Sequence, residues 1–440
     1  MTMKKLYLLL TIASFAASCT FTACVDDEDF GPAEQGQGRK QQSSERVYST
    51  RAAQDLKALC ESNAEVKRLL TLAITQAAAI NPDRAYNPAQ SLEEFYDFVE
   101  WNVRQLPWDV MIHQAPSDYG RSLYGRTDQG IGYFWFIVDQ PLEPLKGRGY
   151  FYPTVEFVEP FSTWLATYSS TWGEWLDTEA SWNSTYYNWV LTDPDWGLTE
   201  GWYGSSNLWK TYNEFFAREL ASPAMRPIDP IAEVVAPVDS WPKMTWAIDD
   251  DNQLVFTDDE KLQIKTAMLS DIGQLIGTGS AYNDAFAGGT LTHTFLDVND
   301  YHRFHAPVDG VLKELRRIPG VDAGGGYTLW NNDTKLYYYQ NDLGFQMVET
   351  RACAIIETEQ YGLVAMMPVG MSQICSVNWI PELQVGQQLH RGDEMGYFKF
   401  GGSDVVMLFQ KGIEVDICHD EDDDDHILMG QAYARLSKGN

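Results

Sequence analysis

The sequence predicts an α+β protein, in which a helical, aromatic-rich N-terminal domain precedes a mostly antiparallel β domain. Apolar residues recur at helical spacing through the first half of the chain. After Pro227 they occur instead in short β-type runs that end at Gly or Pro. With 440 residues and 44% hydrophobic residues, the chain is long enough for two ordinary domains.

Residues 1–24 predict a lipoprotein signal peptide. Lys4 and Lys5 precede an apolar run that is too short to span a bilayer. The run leads to Phe21-Thr22-Ala23-Cys24, which resembles the lipobox of bacterial lipoproteins, and Cys19 is a competing lipidation site. We favour Cys24 because the acidic segment behind it resembles the surface-export signal of Bacteroidota lipoproteins. A plain cleaved signal peptide is the alternative.

Lipidation at Cys24 predicts a cell-envelope lipoprotein, at the outer membrane or at a periplasm-facing membrane, held there by its acyl chains. The formal net charge of −30 argues against nucleic acid as a partner and against electrostatic docking on anionic lipid. The membrane contact is therefore expected at the N-terminal anchor.

Residues 25–55 are polar and predict a disordered tether, and residues 56–205 predict the helical domain. Apolar spacing indicates a helix from about 54 to 79, and Ser91 with Glu94 forms a capping box that opens another helix. A further helix is marked by aromatic residues at helical spacing: Trp164, Tyr168, Trp172 and Trp175. We interpret these rings as the domain core; a carbohydrate-binding or substrate-facing surface is the alternative.

Residues 206–440 predict the β domain. Its clearest β-type runs lie at 234–239, 310–315, 362–370 and 405–409. The acidic run Asp420–Asp425 is interpreted as a solvated loop, with calcium binding as the alternative. Beyond the signal peptide the cysteines are Cys60, Cys353, Cys375 and Cys418, and their spacing selects no disulfide pairing. No metal site is expected, because the pair His302 and His305 lacks a third ligand at a suitable spacing.

Gly402-Ser403 is a peptide bond that a protein can break by itself. Glycine leaves its carbonyl unshielded, and the next residue carries a hydroxyl close to it. If a histidine takes the hydroxyl proton, Ser403 can attack Gly402 and convert the amide to an ester. Elimination and hydrolysis would then leave a pyruvoyl group in place of Ser403. The flanking β-type runs predict that Ser403 lies in a tight connection between two strands.

Four separated segments resemble the phosphatidylserine decarboxylase family of pyruvoyl enzymes, over roughly residues 208–412. The segments are, in order, Phe215-Phe216-Ala217-Arg218-Glu219-Leu220 with Arg226-Pro227-Ile228, Ala236-Pro237-Val238-Asp239, Tyr301-His302-Arg303-Phe304-His305, and Phe400-Gly401-Gly402-Ser403. The sequence departs from the family pattern at Ser240, where glycine is usual, and at Asp404, where threonine or serine is usual.

The resemblance implies a self-cleavage triad of Asp239, His305 and Ser403, with Asp239 orienting the imidazole and His305 taking the serine proton. It implies cleavage between Gly402 and Ser403, after which the two chains stay associated. It also implies that Ser403 becomes the pyruvoyl cofactor and that His302 assists decarboxylation by handling the proton delivered after carbon dioxide leaves.

The implied function is a carboxy-lyase that converts phosphatidylserine to phosphatidylethanolamine and carbon dioxide. A free aromatic amino acid such as tryptophan is the alternative substrate, because the FGGS form and the N-terminal extension are similar to tryptophan decarboxylases. From other classes, the chain is alternatively a non-catalytic surface lipoprotein or a serine hydrolase using Asp239, His305 and Ser403. The hydrolase hypothesis lacks a G-x-S-x-G elbow.

Overall fold

The computed structural model describes residues 46–107, 121–126, 129–204, 209–256, 271–322, 326–341, 348–371, 376–400, 402–419 and 425–439. The predicted signal peptide, Cys19, Cys24 and most of the predicted tether lie outside the described residues. So do Cys375 and most of the acidic run at 420–425.

The first half of the chain is helical, as predicted. Its helices, with two short ones that follow, are α1 (Arg51–Ser62), α2 (Ala64–Ile80), α3 (Leu92–Asn102), α4 (Gly130–Val138), α5 (Phe161–Leu176), α6 (Ser184–Thr192), α7 (Tyr212–Phe216) and α8 (Ile272–Ile276).

Capping residues set where the first helices begin. The Thr50 side chain accepts a hydrogen bond from the Ala53 amide, so α1 begins inside the segment predicted as a tether. Asn63 caps α2, and the single helix expected over 54–79 is two helices. The Ser91 half of the capping box is confirmed, because the Ser91 hydroxyl accepts from the Glu94 amide at the start of α3. The Glu94 carboxylate reaches back one residue further and accepts from the Gln90 amide at 3.0 Å.

Aromatic rings fill the interior of the helical part. Trp164, Tyr168 and Trp172 lie along the buried face of α5. The ring of Tyr168 stacks on Phe134 of α4 at a centroid distance of 4.1 Å. These aromatic residues therefore form core, as interpreted from their spacing.

The remainder of the chain is mostly antiparallel sheet, which confirms the α+β class. The strands are β1 (Val234–Val235), β2 (Trp241–Ala247), β3 (Thr290–Leu296), β4 (Arg303–His305), β5 (Gly310–Ile318), β6 (Gly326–Asn331), β7 (Leu336–Asn341), β8 (Arg351–Glu357), β9 (Leu363–Met371), β10 (Val377–Trp379), β11 (Gln388–Leu389), β12 (Glu394–Phe398), β13 (Gly402–Phe409), β14 (Ile413–Ile417) and β15 (Ala432–Lys438).

Seven strands form the largest sheet, in the order β11-β5-β8-β9-β13-β3-β2. Smaller sheets have the orders β1-β15-β14, β10-β12-β4 and β6-β7. Strand β13 lies inside the large sheet, paired with β9 on one side and β3 on the other. Gly402 and Ser403, the first two residues of β13, therefore lie in an interior strand of the large sheet.

The two faces of β13 contact different cores. Val405, Met407 and Phe409 belong to the hydrophobic cluster that includes the helical part. Val406 and Leu408 belong to a second cluster, which includes the residues of α8. Because side chains alternate along a strand, odd-numbered residues of β13 face the helical part and even-numbered residues face away.

All described residues belong to one compact unit, Ser43–Asn440. The domain boundaries drawn from the sequence at 56, 205 and 206 stay predictions. Within the described part of the chain, no helix is both long and apolar enough to cross a bilayer. Cys60 and Cys353 are buried free thiols, and Cys418 is an exposed one.

Candidate active site

Ser403 is the second residue of β13 and is buried. Its backbone pairs with Leu296 of β3 and Gly370 of β9. The expectation that Ser403 lies in a connection between strands is therefore wrong, because both neighbouring strands extend far enough to pair with it. Gly402 is also within β13, paired with Met371.

Asp404 points away from the side that Ser403 faces. Its carboxylate is fully buried, with Oδ2 3.0 Å from Nε2 of His293 on β3. Ser403 shares the odd-numbered face with Val405, whereas Asp404 shares the even-numbered face. The departure from the family pattern at this position thus places a carboxylate behind the sheet and not beside the serine hydroxyl.

His302 has a fixed tautomer with a lone pair at Nε2. Nδ1 lies 2.9 Å from the Asp300 carbonyl oxygen, which can only accept, so Nδ1 carries the proton. Nε2 is buried and has no hydrogen-bond partner among the described residues. The ring stacks on Phe216 with centroids 3.8 Å apart. Burial, aided by the charge of Arg218, lowers the pKa of His302 well below its ordinary value.

Arg218 is the residue that fixes the acceptor of His302. Its Nη2 donates to the carbonyls of Asn299 at 2.6 Å and Asp300 at 2.9 Å, so Arg218 and His302 share one acceptor. The guanidinium is fully buried, and in the part of the chain that the structure describes its Nε and Nη1 have no hydrogen-bond partner. The Tyr203 ring lies 4.4 Å from it. Sequence reasoning placed Arg218 in a family motif but assigned it no role.

His305 has the same kind of tautomer. Nδ1 donates to the Gly392 carbonyl at 2.8 Å, and Nε2 accepts from the Tyr301 hydroxyl at 3.1 Å. Burial lowers the pKa of His305, while the Gly392 hydrogen bond and the charges of Glu394 and Asp239 act in the opposite direction. The imidazole is thus neutral at pH 7, with a basic nitrogen available once the tyrosine hydroxyl moves.

Asp239 is close to His305 but is held by other groups. Its carboxylate forms a buried ion pair with Arg226, with Arg226 Nε 2.9 Å from Oδ1. It also accepts from the Met429 amide at 2.7 Å. Among the hydrogen bonds of the described residues, none joins Asp239 to His305. The group that orients the imidazole is the Gly392 carbonyl, and the orienting role of Asp239 stays a prediction.

The Gly392 carbonyl was missed because a backbone acceptor leaves no signal in residue type. The Tyr301 hydroxyl was also missed, although Tyr301 opens the histidine motif and the spacing of four to His305 was visible.

A groove of about 780 Å³ has in its wall Arg303 of β4, the residue that directly follows His302 in the sequence. Its walls carry the bases Arg303 and Lys399 and the acids Asp177, Glu214 and Glu219. Ala217, also in the wall, adjoins Phe216, on which His302 stacks. The groove therefore carries charges of both signs, including the ion pairs of Lys399 with Asp177 and of Arg303 with Glu219.

A profile of the phosphatidylserine decarboxylase family matches residues 212–435, just over half of the chain. The chain belongs to this family. The match begins at α7, so α1 to α6 lie outside it.

Individual relatives agree with the family match. Phosphatidylserine decarboxylase proenzyme 2 of Oryza sativa subsp. japonica is 34% identical over 47% of this chain and 30% of the rice protein. The proenzyme of Ruminiclostridium cellulolyticum is 29% identical over 46% of this chain and 61% of its own length. That of Shewanella amazonensis is 31% identical over 53% of this chain and 81% of its own length. The chain thus spans less than two thirds of the first two relatives.

Proposed function

We propose that this chain cleaves itself between Gly402 and Ser403 and then decarboxylates phosphatidylserine. The observation that carries the proposal is the pair of buried, neutral histidines, His302 and His305. Each binds a backbone carbonyl through Nδ1 and keeps a basic Nε2. Membership of the phosphatidylserine decarboxylase family supports the substrate.

Cleavage begins when the Tyr301 hydroxyl gives up its place at Nε2 of His305 and Ser403 takes it. His305 accepts the serine proton as Ser403 Oγ bonds to the Gly402 carbonyl carbon. The bond from that carbon to the Ser403 nitrogen then breaks, and the nitrogen takes the proton. An ester now links Gly402 to the serine oxygen.

Elimination completes the conversion. Loss of the Ser403 Cα proton breaks the bond between Cβ and oxygen, which frees Gly402 as a carboxylate and leaves dehydroalanine. One water molecule then replaces the nitrogen, which departs as ammonia, and a pyruvoyl group remains. No external oxidant or reductant is required.

The pyruvoyl carbonyl would supply the electron sink for a substrate whose amine condenses with it. The chain's own contribution is proton handling at His302. Its Nε2 lone pair suits it to accept a proton from the substrate ammonium. The ammonium must lose this proton to become the neutral amine that can react. The same proton is then available for the carbon that has lost carbon dioxide.

The names of the relatives, phosphatidylserine decarboxylase proenzymes, support phosphatidylserine as the substrate. The mixed charges of the groove also suit a headgroup that carries an ammonium, a carboxylate and a phosphate. A free aromatic amino acid is the competing outcome of the same assay.

The proposal is tested with purified wild-type protein and Ser403→Ala. Wild type should give two chains, one ending at Gly402, and borohydride should add two hydrogens to the small chain. Ser403→Ala should stay as one chain. A single uncut wild-type chain with an ordinary serine would overturn the proposal and favour a binding module or a hydrolase.

The substrate is tested by supplying phosphatidylserine vesicles and free tryptophan separately to the cleaved enzyme. Phosphatidylethanolamine with carbon dioxide is the expected product. Amine formed from tryptophan alone would reject phosphatidylserine while leaving the self-cleavage intact.

We also propose that the chain is a cell-envelope lipoprotein acylated at Cys24. The lipobox-like sequence supports this, although it lies outside the described residues. In cells fed a labelled fatty acid, Cys24→Ser should abolish labelling and Cys19→Ser should not. The reverse result would assign Cys19, and labelling of neither form would leave a plain signal peptide.

A further inference from the structure

The helical part of the molecule holds the two residues that precede the cleavage segment. Lys399 and Phe400 follow β12, and only Gly401 and Gly402 separate Phe400 from Ser403. Phe400 is bound by residues of α5 and α7, and Lys399 is bound by the residue that caps the end of α5.

Asn213 binds the backbone of Phe400. It is 2% exposed, and its Oδ1 accepts from the Phe400 amide at 3.2 Å. Its Nδ2 donates to Asp177 Oδ1 at 3.0 Å and to the Gly173 carbonyl at 3.3 Å. One buried amide thereby joins the end of α5 to the chain just before the scissile bond.

Asp177 binds the neighbouring side chain. Lys399 Nζ lies 2.8 Å and 3.0 Å from its two carboxylate oxygens. Asp177 is the C-cap residue of α5, so its position is set by that helix. The Asp177 carboxylate thus binds Lys399 directly, and it binds Phe400 indirectly, through Asn213.

The Phe400 ring is held as well. It is buried, and its centroid lies 5.5 Å from Phe216, 5.7 Å from Tyr212 and 6.2 Å from Trp172. Trp172 belongs to α5, whereas Phe216 also stacks on His302. The same ring therefore contacts both the helical part and the histidine site.

Anchoring at this point matters because of the two glycines. Glycine has the widest backbone freedom of any residue, so a Gly-Gly segment without fixed ends samples many conformations. Attack by Ser403 requires its oxygen within about 3–3.5 Å of the Gly402 carbonyl carbon. Ser403 is fixed by β3 and β9, and Gly402 pairs with Met371 of β9 alone. Gly401 joins Gly402 to Phe400, so the contacts of Phe400 limit the conformations that the Gly-Gly segment can adopt before cleavage.

We propose that Asp177 and Asn213 are positioning residues for self-cleavage, through which α5 holds the segment before the scissile bond. The inference rests on the proposed function. Asp177 and Gly173 precede residue 212, so this attachment extends beyond the part of the chain matched by the family.

The test measures the cleavage rate of newly synthesised protein on denaturing gels. Asn213→Ala is compared with a control variant, Asn102→Ala. Asn102 is also a buried amide of the helical part, and its Nδ2 donates to the Tyr168 hydroxyl. Thermal unfolding midpoints of both variants are measured in a Ser403→Ala background. We expect Asn213→Ala to cleave at least tenfold more slowly than Asn102→Ala at a similar midpoint.

A second pair of variants avoids a buried substitution, since the Asp177 side chain is 46% exposed. Asp177→Asn keeps an acceptor for Asn213 and should cleave within about threefold of wild type, whereas Asp177→Ala should be distinctly slower. Equal cleavage rates for Asn213→Ala and Asn102→Ala, or for the two Asp177 variants, would overturn the inference. Absence of cleavage in wild type would instead reject the proposed function and the inference with it.

Discussion

At the scale of single residues, the site depends on the tautomer and the pKa of two imidazoles, those of His302 and His305. Backbone carbonyls of Asp300 and Gly392 hold Nδ1 of His302 and His305, so both rings present Nε2 as a base. Burial then lowers both pKa values, because a charged imidazole is poorly solvated there. Arg218 adds a like charge beside His302 and strengthens the effect. Both rings are ready to accept a proton at neutral pH.

Arg218→Gln should raise the pKa of His302, since it removes the neighbouring positive charge. In the proposed mechanism, activity requires the neutral His302 ring and falls as pH drops through its pKa. The acid limb of kcat/KM for phosphatidylserine should therefore move to higher pH, by about 0.5–1 unit. Arg218→Lys, which keeps the charge, should leave the limb near its wild-type position. Superimposable pH profiles for all three proteins would show that Arg218 has no electrostatic influence on His302.

At the scale of elements, the alternation of side chains along β13 separates Ser403 from the buried contact between Asp404 and His293. Ser403 faces the side of the helical part, and Asp404 faces the second core, where it meets His293. The neighbouring strands β3 and β9 fix this register over the whole of β13. A shift by one residue would exchange the two faces and bury a carboxylate where the serine is needed.

Asp404→Asn should lower stability and leave self-cleavage nearly unchanged. The substitution weakens a buried contact with His293, which should cost about 1–3 kcal/mol of unfolding free energy. Because the side chain lies on the other face of β13, the cleavage rate should stay within about threefold. His293→Gln disturbs the same contact from β3 and should behave alike. Loss of cleavage in both variants at an unchanged unfolding midpoint would place the pair in the cleavage machinery.

The sequence predicts the fold class and the cleavage segment because both depend on local pattern. Helical spacing marks α5, the capping box marks α3, and the β-type run at 405–409 marks β13. It does not predict that the carbonyl of Gly392, 87 residues away, holds His305, or that Arg226, 13 residues away, pairs with Asp239. The Gly392 carbonyl and the Arg226 side chain reach these groups only through the folded topology. The attachment of Phe400 to Asn213 is likewise a long-range contact.

At the scale of the whole molecule, the helical part and the sheet share one hydrophobic cluster. The folded molecule also buries ionisable side chains. Glu349, just before β8, is fully buried, and neither of its carboxylate oxygens has a hydrogen-bond partner within the described ranges. Burial, aided by the charge of Asp404, raises the pKa of Glu349 well above its ordinary value. Glu349 and His302 therefore affect stability in opposite pH ranges.

Whether a group stabilises or destabilises the fold at a given pH depends on which state, folded or unfolded, binds its proton more tightly. The lowered pKa of His302 means that the unfolded chain binds its proton better, so this group destabilises the fold below about pH 6.5. The raised pKa of Glu349 means that the folded chain binds its proton better. Its stabilising effect is complete below the unfolded pKa of about 4.3 and is lost as pH rises towards the folded value.

Glu349→Gln should therefore stabilise the protein increasingly as pH rises. While Glu349 stays protonated in the fold, wild type loses about 1.4 kcal/mol of unfolding free energy per pH unit through this group, and the neutral amide removes that loss. The variant's advantage should grow between pH 6.5 and 8, where His302 contributes little. Thermal unfolding of Ser403→Ala and of Ser403→Ala with Glu349→Gln, both uncut, measures it. Glu357→Gln, which changes an exposed carboxylate at the end of β8, is the control and should show no such trend. If the midpoint difference between the two uncut proteins stays constant across this range, Glu349 is ionised in the fold and must have a partner that compensates its charge.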